Sequence, residues 1–212
     1  GVLATLCCDE EGKSSYALEG SIFIAGAAIQ WLRDGLQFFK DANQSEALAR
    51  SVKDTGGVTL IPAFAGLGSP YWNPDVRGII SGLTRGTTRA HIVRAALESI
   101  AHQTADVVEL IQDQTKIPIR ALKVDGGATR NKFLMQFQAD LLGIPILVSH
   151  LSEAPAWGVA KLGAKVSGLW PSLKSVDAKF TFDRFVPRLG RAEARGWRAK
   201  WKREVNRLLA KF

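Results

Sequence analysis

The chain is poor in the residues that usually announce redox, metal or secreted-scaffold chemistry. It has two cysteines, Cys7 and Cys8, and they are adjacent. Neighbouring cysteines rarely bridge each other, and no second pair completes a metal-ligand spacing. Two reduced thiols in a strand, as in a reducing cytoplasm, are the expectation. The three histidines, His91, His102 and His150, lie far apart in sequence and match no metal or Ser-His-Asp pattern. No apolar run reaches the roughly 20 residues that span a bilayer, so no membrane span is expected. The first residues, GVLATLCCDEEG, lack a basic region followed by a long apolar run, and so do not read as a secretory signal. They also lack an initiating Met, as an excised domain would.

What is present is a sequence of 212 residues that can fill a core: 46% of them are hydrophobic. The net charge of +8 is uneven. Residues 179–212 hold 11 Lys/Arg and 3 Asp/Glu, which accounts for all of it, while the other 17 basic and 17 acidic residues cancel. Basicity therefore belongs to a terminal segment and not to the body.

Periodicity orders the chain. Residues 1–9 and 15–23 read as a hairpin around the polar turn EEGKS. Ile29, Leu32, Leu36 and Phe39 fall on one face of a helix from about Ala25, and a shorter helix covers 45–54. VTLIPAF (58–64) reads as a buried strand, and 65–78 as a long Gly- and Pro-rich loop, with Ile79 and Ile80 resuming a short strand. A long helix spans Thr88 to Gln114. RALKVDGG (120–127) is a strand ending in a glycine turn, followed by a helix from Asn131 to Leu142. IPILVSH (144–150) is a strand, 155–167 a small-residue helix, 171–189 an irregular connection and 190–210 a terminal helix. Strands alternating with helices imply right-handed crossovers onto a partly parallel sheet. The expected class is α/β: an actin-like, ribonuclease H-like domain with a mixed sheet flanked by helices. Such a domain opens with a three-strand meander; two strands precede the first helix here, so the first strand is expected to be missing.

The sharpest chemical feature is VDGGATRNKF (124–133), a strand, two glycines and a helix start. Glycine lets backbone N–H groups approach a phosphate, and a helix N-terminus adds positive dipole. Asn131 lies about one turn beyond Gly127 and could face the same ligand. An ordinary tight turn with Asn131 on the surface is the alternative. In GSIFIAGAAIQWL (20–32), Gly26, Ala27 and Ala28 leave a helix face nearly bare for a flat ligand, or simply for another helix, with Gln30 one turn on. Tyr71 and Trp72 sit in a loop that is either a binding surface or packed on itself. Asp106, Glu109 and Asp113 recur on successive turns of the long helix and read as a solvated face. In the tail, Trp197 and Trp201 lie among Arg191, Arg195, Arg198, Lys202 and Arg203. Their helical spacing with Ala194 and Val205 favours a packed amphipathic helix over a nucleic-acid binder.

These stretches resemble a known family. YALEGSIFIAGAAIQWLRD, PAFAGLGSPYWNPDVRGIISGLTRGT, HIVRAALESIAHQTADV and VDGGATRNKFLMQFQADLLG are together similar to the glycerol kinase branch of the FGGY carbohydrate kinases, over about residues 1–187. Gly78, Gly82, Leu83, His91, Ile92 and Ala95 to Glu98 fit the family's second sequence signature. The resemblance implies a C-terminal nucleotide-binding domain at 1–187, with a basic helix at 188–212 packed on it. It implies that Gly26 and Gln30 line the nucleoside end of an ATP site, that Gly127 presents its backbone to the phosphates, and that Asn131 contacts the base region. ATP with Mg²⁺ is the implied cofactor. Glycerol would bind through an N-terminal half absent from this chain. The catalytic base is expected upstream of Gly1, so no catalytic or metal-ligating residue is assigned within these residues. Another FGGY sugar or polyol kinase, or a non-catalytic nucleotide-binding fragment, remains an alternative, and a homo-oligomer is left open. One departure stands out: EAPAWGVA (153–160) places Pro155 and Trp157 where the family carries smaller residues.

Overall fold

In the computed structural model, residues 1–9, 11–151, 153–170, 172–173 and 181–211 are described. The chain opens with an antiparallel hairpin, β1 (Leu3–Cys8) and β2 (Ser14–Glu19), with Leu6 opposite Tyr16. Its turn is held by the Asp9 carboxylate, which accepts from the Glu11 and Lys13 backbone N–H groups at 3.1 and 2.8 Å. All twelve strand residues are exposed, including Leu6 and Tyr16. Cys7 and Cys8 are free and exposed in β1. Among the described residues the sheet has these two strands and no third.

Two helices follow, α1 (Gly26–Asp34) and α2 (Gln44–Arg50), then the short antiparallel pair β3 (Thr59–Ile61) and β4 (Ile79–Ser81). The loop between them folds back on itself through the Leu67–Asn73 bridge. It is pinned to the end of the hairpin by Ser69 N–H donating to the Ser21 carbonyl at 2.8 Å. A Cβ on Gly68 would run into that carbonyl, so this approach requires glycine.

The organising element is α3 (Arg89–Thr115). Thr88 and His91 cap its start reciprocally, and Lys116 ends it in a left-handed conformation. Its apolar side is buried against α1, α2, α4 and β3. Leu32 of α1, Val93, Leu97 and Ile100 of α3, and Leu134 and Phe137 of α4 share one core with Ile146 and Val148. Each such side chain removed from water contributes about 1.5–3 kcal/mol.

Next come β5 (Leu122–Val124), a 3₁₀ turn (Gly127–Arg130), α4 (Lys132–Leu142) and β6 (Ile146–Ser149), which runs parallel to β5 as the crossover requires. A helix α5 (Ala154–Val166) carries Pro155 in its first turn, where proline costs nothing, so this departure from the family pattern leaves an ordinary helix start. Trp157 packs against Trp170 with ring centroids 5.7 Å apart.

The stretch 171–189 departs from its reading as irregular. Phe182–Phe185 form a strand, β7, antiparallel to β6, with Phe185 opposite Ile146. The alternation Phe182-Asp183-Arg184-Phe185 is too short to stand out from loop sequence; pairing with β6 makes it a strand. Pro171 and residues 174–180 lie outside the described residues. Helix α6 (Arg191–Leu209) closes the chain beyond the expected boundary at 187. It packs as its periodicity predicts: Trp201, Val205 and Leu208 are buried with Ile61, Leu67 and Val76 in a second apolar cluster.

Candidate functional site

Four residues singled out from sequence meet in one place. Gly26, the first residue of α1, and Gln30, one turn later, face the 3₁₀ turn at Gly127 and the α4 cap at Asn131 across a cavity of about 760 Å³. The size suits a small-molecule ligand. Its floor is apolar, with Ile29, Leu97, Ile100 and Leu134; its rim is polar, with Gln30, Asn43 and Asp125. Helix α1 lacks a side-chain cap at Ala25, so its first N–H groups are not satisfied by a cap side chain.

The glycine turn divides its labour. Gly126 has φ +91° and ψ 172°, a region open essentially to glycine alone. Gly127 has ordinary backbone angles. A Cβ built there, or on Gly26, meets no protein atom within 4 Å. The space beside both is open to the cavity rather than filled by packing.

Asn131 is half-buried and has a second task that sequence reading missed. Its Oδ1 accepts from the Leu134 N–H at 2.9 Å, making it the N-cap of α4. Its Nδ2 donates to Ser45 Oγ at 3.2 Å. An Asn directly before a helical apolar run signals such a cap; Ser45 carries no local signal, because it comes from 86 positions away.

A second group of polar residues lies behind the site, on the opposite side of α3. Contrary to the expectation of a solvated face, Asp106 is buried and Glu109 is half-buried; Asp113 is exposed. Asp106 is 4% exposed and accepts from Tyr71 Oη at 2.9 Å, Trp201 Nε1 at 2.8 Å and the Arg198 guanidinium. Arg198 continues to Glu109 through Nε at 2.8 Å and to the His102 carbonyl through Nη1 at 3.0 Å. Lys202 reaches Glu109 at 2.7 Å. The partners lie some 90 positions on in α6, so charge spacing on α3 alone resembles a wet face. Burial, and then the Asp106 carboxylate, push the Tyr71 phenol far above its ordinary value. Burial raises Glu109, but hydrogen bonds from Arg198 and Lys202 outweigh it and hold the carboxyl below its ordinary value. His102 stacks on Trp201 at 5.0 Å and 4°. Burial, with Arg198 and Lys200 adding to it, lowers its pKa to about 3. Tyr71 is thus tied into the interior, while Trp72 stays 39% exposed with its Nε1 donating to the Gly1 carbonyl at 2.7 Å.

Residues 1–166 match the C-terminal domain of the FGGY family of carbohydrate kinases. The chain belongs to this family. A glycerol kinase of Alkalilimnicola ehrlichii is 52% identical over 206 residues, covering 97% of this chain and 41% of that protein. Glycerol kinase 2 of Thermotoga maritima is 50% identical over 210 residues, covering 99% of this chain and 42% of that protein. The chain therefore spans about two-fifths of the length of the curated relatives it matches. Among solved structures, Plasmodium falciparum glycerol kinase with ADP superimposes with a TM-score of 0.89 at 34% identity, covering 99% of this chain and 42% of that one. The xylulose kinase of Lactobacillus acidophilus, at 22% identity and a TM-score of 0.78, shares the fold. The FGGY domain thus has the actin-like α/β fold read from its sequence. Among its described residues no helix is long and apolar enough to cross a membrane.

Proposed function

We propose that this FGGY domain is the nucleotide-binding half of a glycerol kinase, which transfers the terminal phosphoryl group of ATP to glycerol. The observation that carries the reading is the convergence of Gly26, Gln30, Gly127 and Asn131, drawn from elements about a hundred residues apart, on one cavity. The glycerol kinase of P. falciparum that superimposes on this chain was solved with ADP, which supports the same occupant here.

In this reading the apolar floor takes the purine and sugar, and Gln30 and Asn131 meet polar edges. The Gly126–Gly127 turn brings backbone N–H groups and the start of α4 close to the phosphates. The open space beside Gly127 fits such a group, because a side chain there would occupy it. Mg²⁺ would arrive with the nucleotide's phosphates and neutralise their charge. In the transfer, the bond from the terminal phosphorus to its bridging oxygen breaks and a bond to a glycerol hydroxyl forms; that hydroxyl's proton passes to a base expected outside this chain. Such chemistry depends mainly on alignment and charge stabilisation. The two free thiols, Cys7 and Cys8, support a reducing, cytoplasmic setting.

Calorimetric titration with ADP tests the reading. Binding that is abolished or strongly weakened in a folded Gly127→Val variant is the expected result. Equal affinity in that variant would leave only the fold resemblance standing.

A further inference from the structure

Helix α2 reaches the cavity wall with Ser45 and Glu46, and its first turn is tied to the first turn of α4. Ser45, only 2% exposed, accepts from Asn131 Nδ2 at 3.2 Å, and the neighbouring Glu46 accepts from the Lys132 N–H through Oε2 at 2.8 Å. Glu46 is itself held by Arg50, whose Nε donates to Oε1 at 2.9 Å.

The hydrogen bonds around Asn131 can run in only one sense. A backbone N–H only donates, so the Asn131 atom facing Leu134 N must be the amide oxygen. Ser45 Oγ spends its own hydrogen on the Ala42 carbonyl at 2.6 Å. It therefore meets Asn131 as an acceptor, and the atom facing it must be the amide nitrogen. Both ends of the amide are thus specified, and Asn131 cannot turn over without losing two bonds. One amide hydrogen and one oxygen lone pair are left for the cavity that Asn131 lines.

We propose that Ser45 is a positioning residue for base selection: it anchors the nitrogen end of the Asn131 amide, whose oxygen end the Leu134 N–H holds, so that the cavity meets a donor–acceptor pair of fixed sense and direction. This inference rests on the nucleotide reading of the cavity. A fixed amide of this kind complements a purine edge with an exocyclic amine next to a ring nitrogen, as in adenine. It opposes a 6-oxo purine, whose carbonyl replaces the amine and faces the amide oxygen. Ser45 lies in the cavity wall but is 2% exposed and its hydroxyl hydrogen is engaged by the Ala42 carbonyl, so in this scheme it acts through Asn131.

The experiment compares ADP with IDP, which differ only in that edge, by calorimetry on the full chain. Parent protein should prefer ADP by about 5- to 100-fold, the range for one good bidentate contact. Ser45→Ala and the nearly isosteric Ser45→Cys both remove the strong acceptor, and Cys keeps the packing. Both should shrink the ADP/IDP ratio to about 3-fold or less, while ADP binding itself weakens only a few-fold. Loosened packing alone would lower both affinities together and keep the ratio. An unchanged ratio in the folded variants overturns the proposal, even if Gly127→Val abolishes ADP binding and so upholds the nucleotide reading. A parent chain that binds neither nucleotide overturns both.

Discussion

Trp201 donates its indole N–H to Asp106 at 2.8 Å across 95 positions of sequence, and so fastens α6 to the middle of α3. Tyr71 and Arg198 meet the same carboxylate. Three elements therefore depend on one buried charge. Asp106→Ala should destabilise the domain by about 3–5 kcal/mol, since it leaves Arg198 without its most buried partner and orphans two further donors. Urea denaturation followed by circular dichroism is the measurement. A loss under 1 kcal/mol would mean that the network is not worth what its burial implies.

The same neighbourhood sets an acid limit. The folded pKa of His102, about 3, lies below its ordinary 6.5. Between those values the unfolded chain binds the proton and the folded chain does not, so stability rises with pH across that window and is lost as pH falls from 6.5 towards 3. At pH 5 the cost from this residue is about 2 kcal/mol. His102→Phe, which keeps a ring against Trp201, should flatten that limb of a stability–pH curve. An identical acid limb in the variant would assign the effect to other groups.

Gly26→Leu is the companion to Gly127→Val at the other wall of the cavity. A Cβ at either position meets open space, so both variants should fold with near-parental melting temperatures and still weaken ADP by tenfold or more. Unfolding of either variant would show that the glycine serves packing rather than ligand access.

The chain alone should show no glycerol-dependent ADP release in a coupled assay, even at high protein concentration, because no base or acceptor site is assigned to its residues. Turnover abolished by a point substitution within these 212 residues would place the base here instead.

The basic tail should bind nucleic acid only weakly and with strong salt dependence. Trp201 is 2% exposed and stacked on His102, and so is not free to stack on a base. Fluorescence anisotropy with a labelled oligonucleotide checks this; sub-micromolar binding at physiological salt would contradict the packed helix.

Local pattern determined most of the architecture. The helix over 89–115, the strand–glycine turn–helix at 122–142 and the amphipathic α6 each follow from a period of apolar residues and from caps that lie within a few positions of one another. For Gly26, Gln30, Gly127 and Asn131 the local pattern left a binding site and plain packing both open; the family resemblance grouped them, and the structure places them on one cavity. What the tertiary structure alone decided depends on partners distant in sequence. Phe182–Phe185 became a strand because β6 offers it an edge. Asp106 became a buried charge, with the half-buried Glu109 beside it, because Arg198 reaches both from α6; the carboxylates by themselves match a wet helix face. Ser45 gained a bearing on the cavity because α2 and α4 begin side by side. Periodicity reports which face of an element is apolar; only packing decides which polar groups meet across it, and there desolvation makes an unpaired charge costly and a paired one structural.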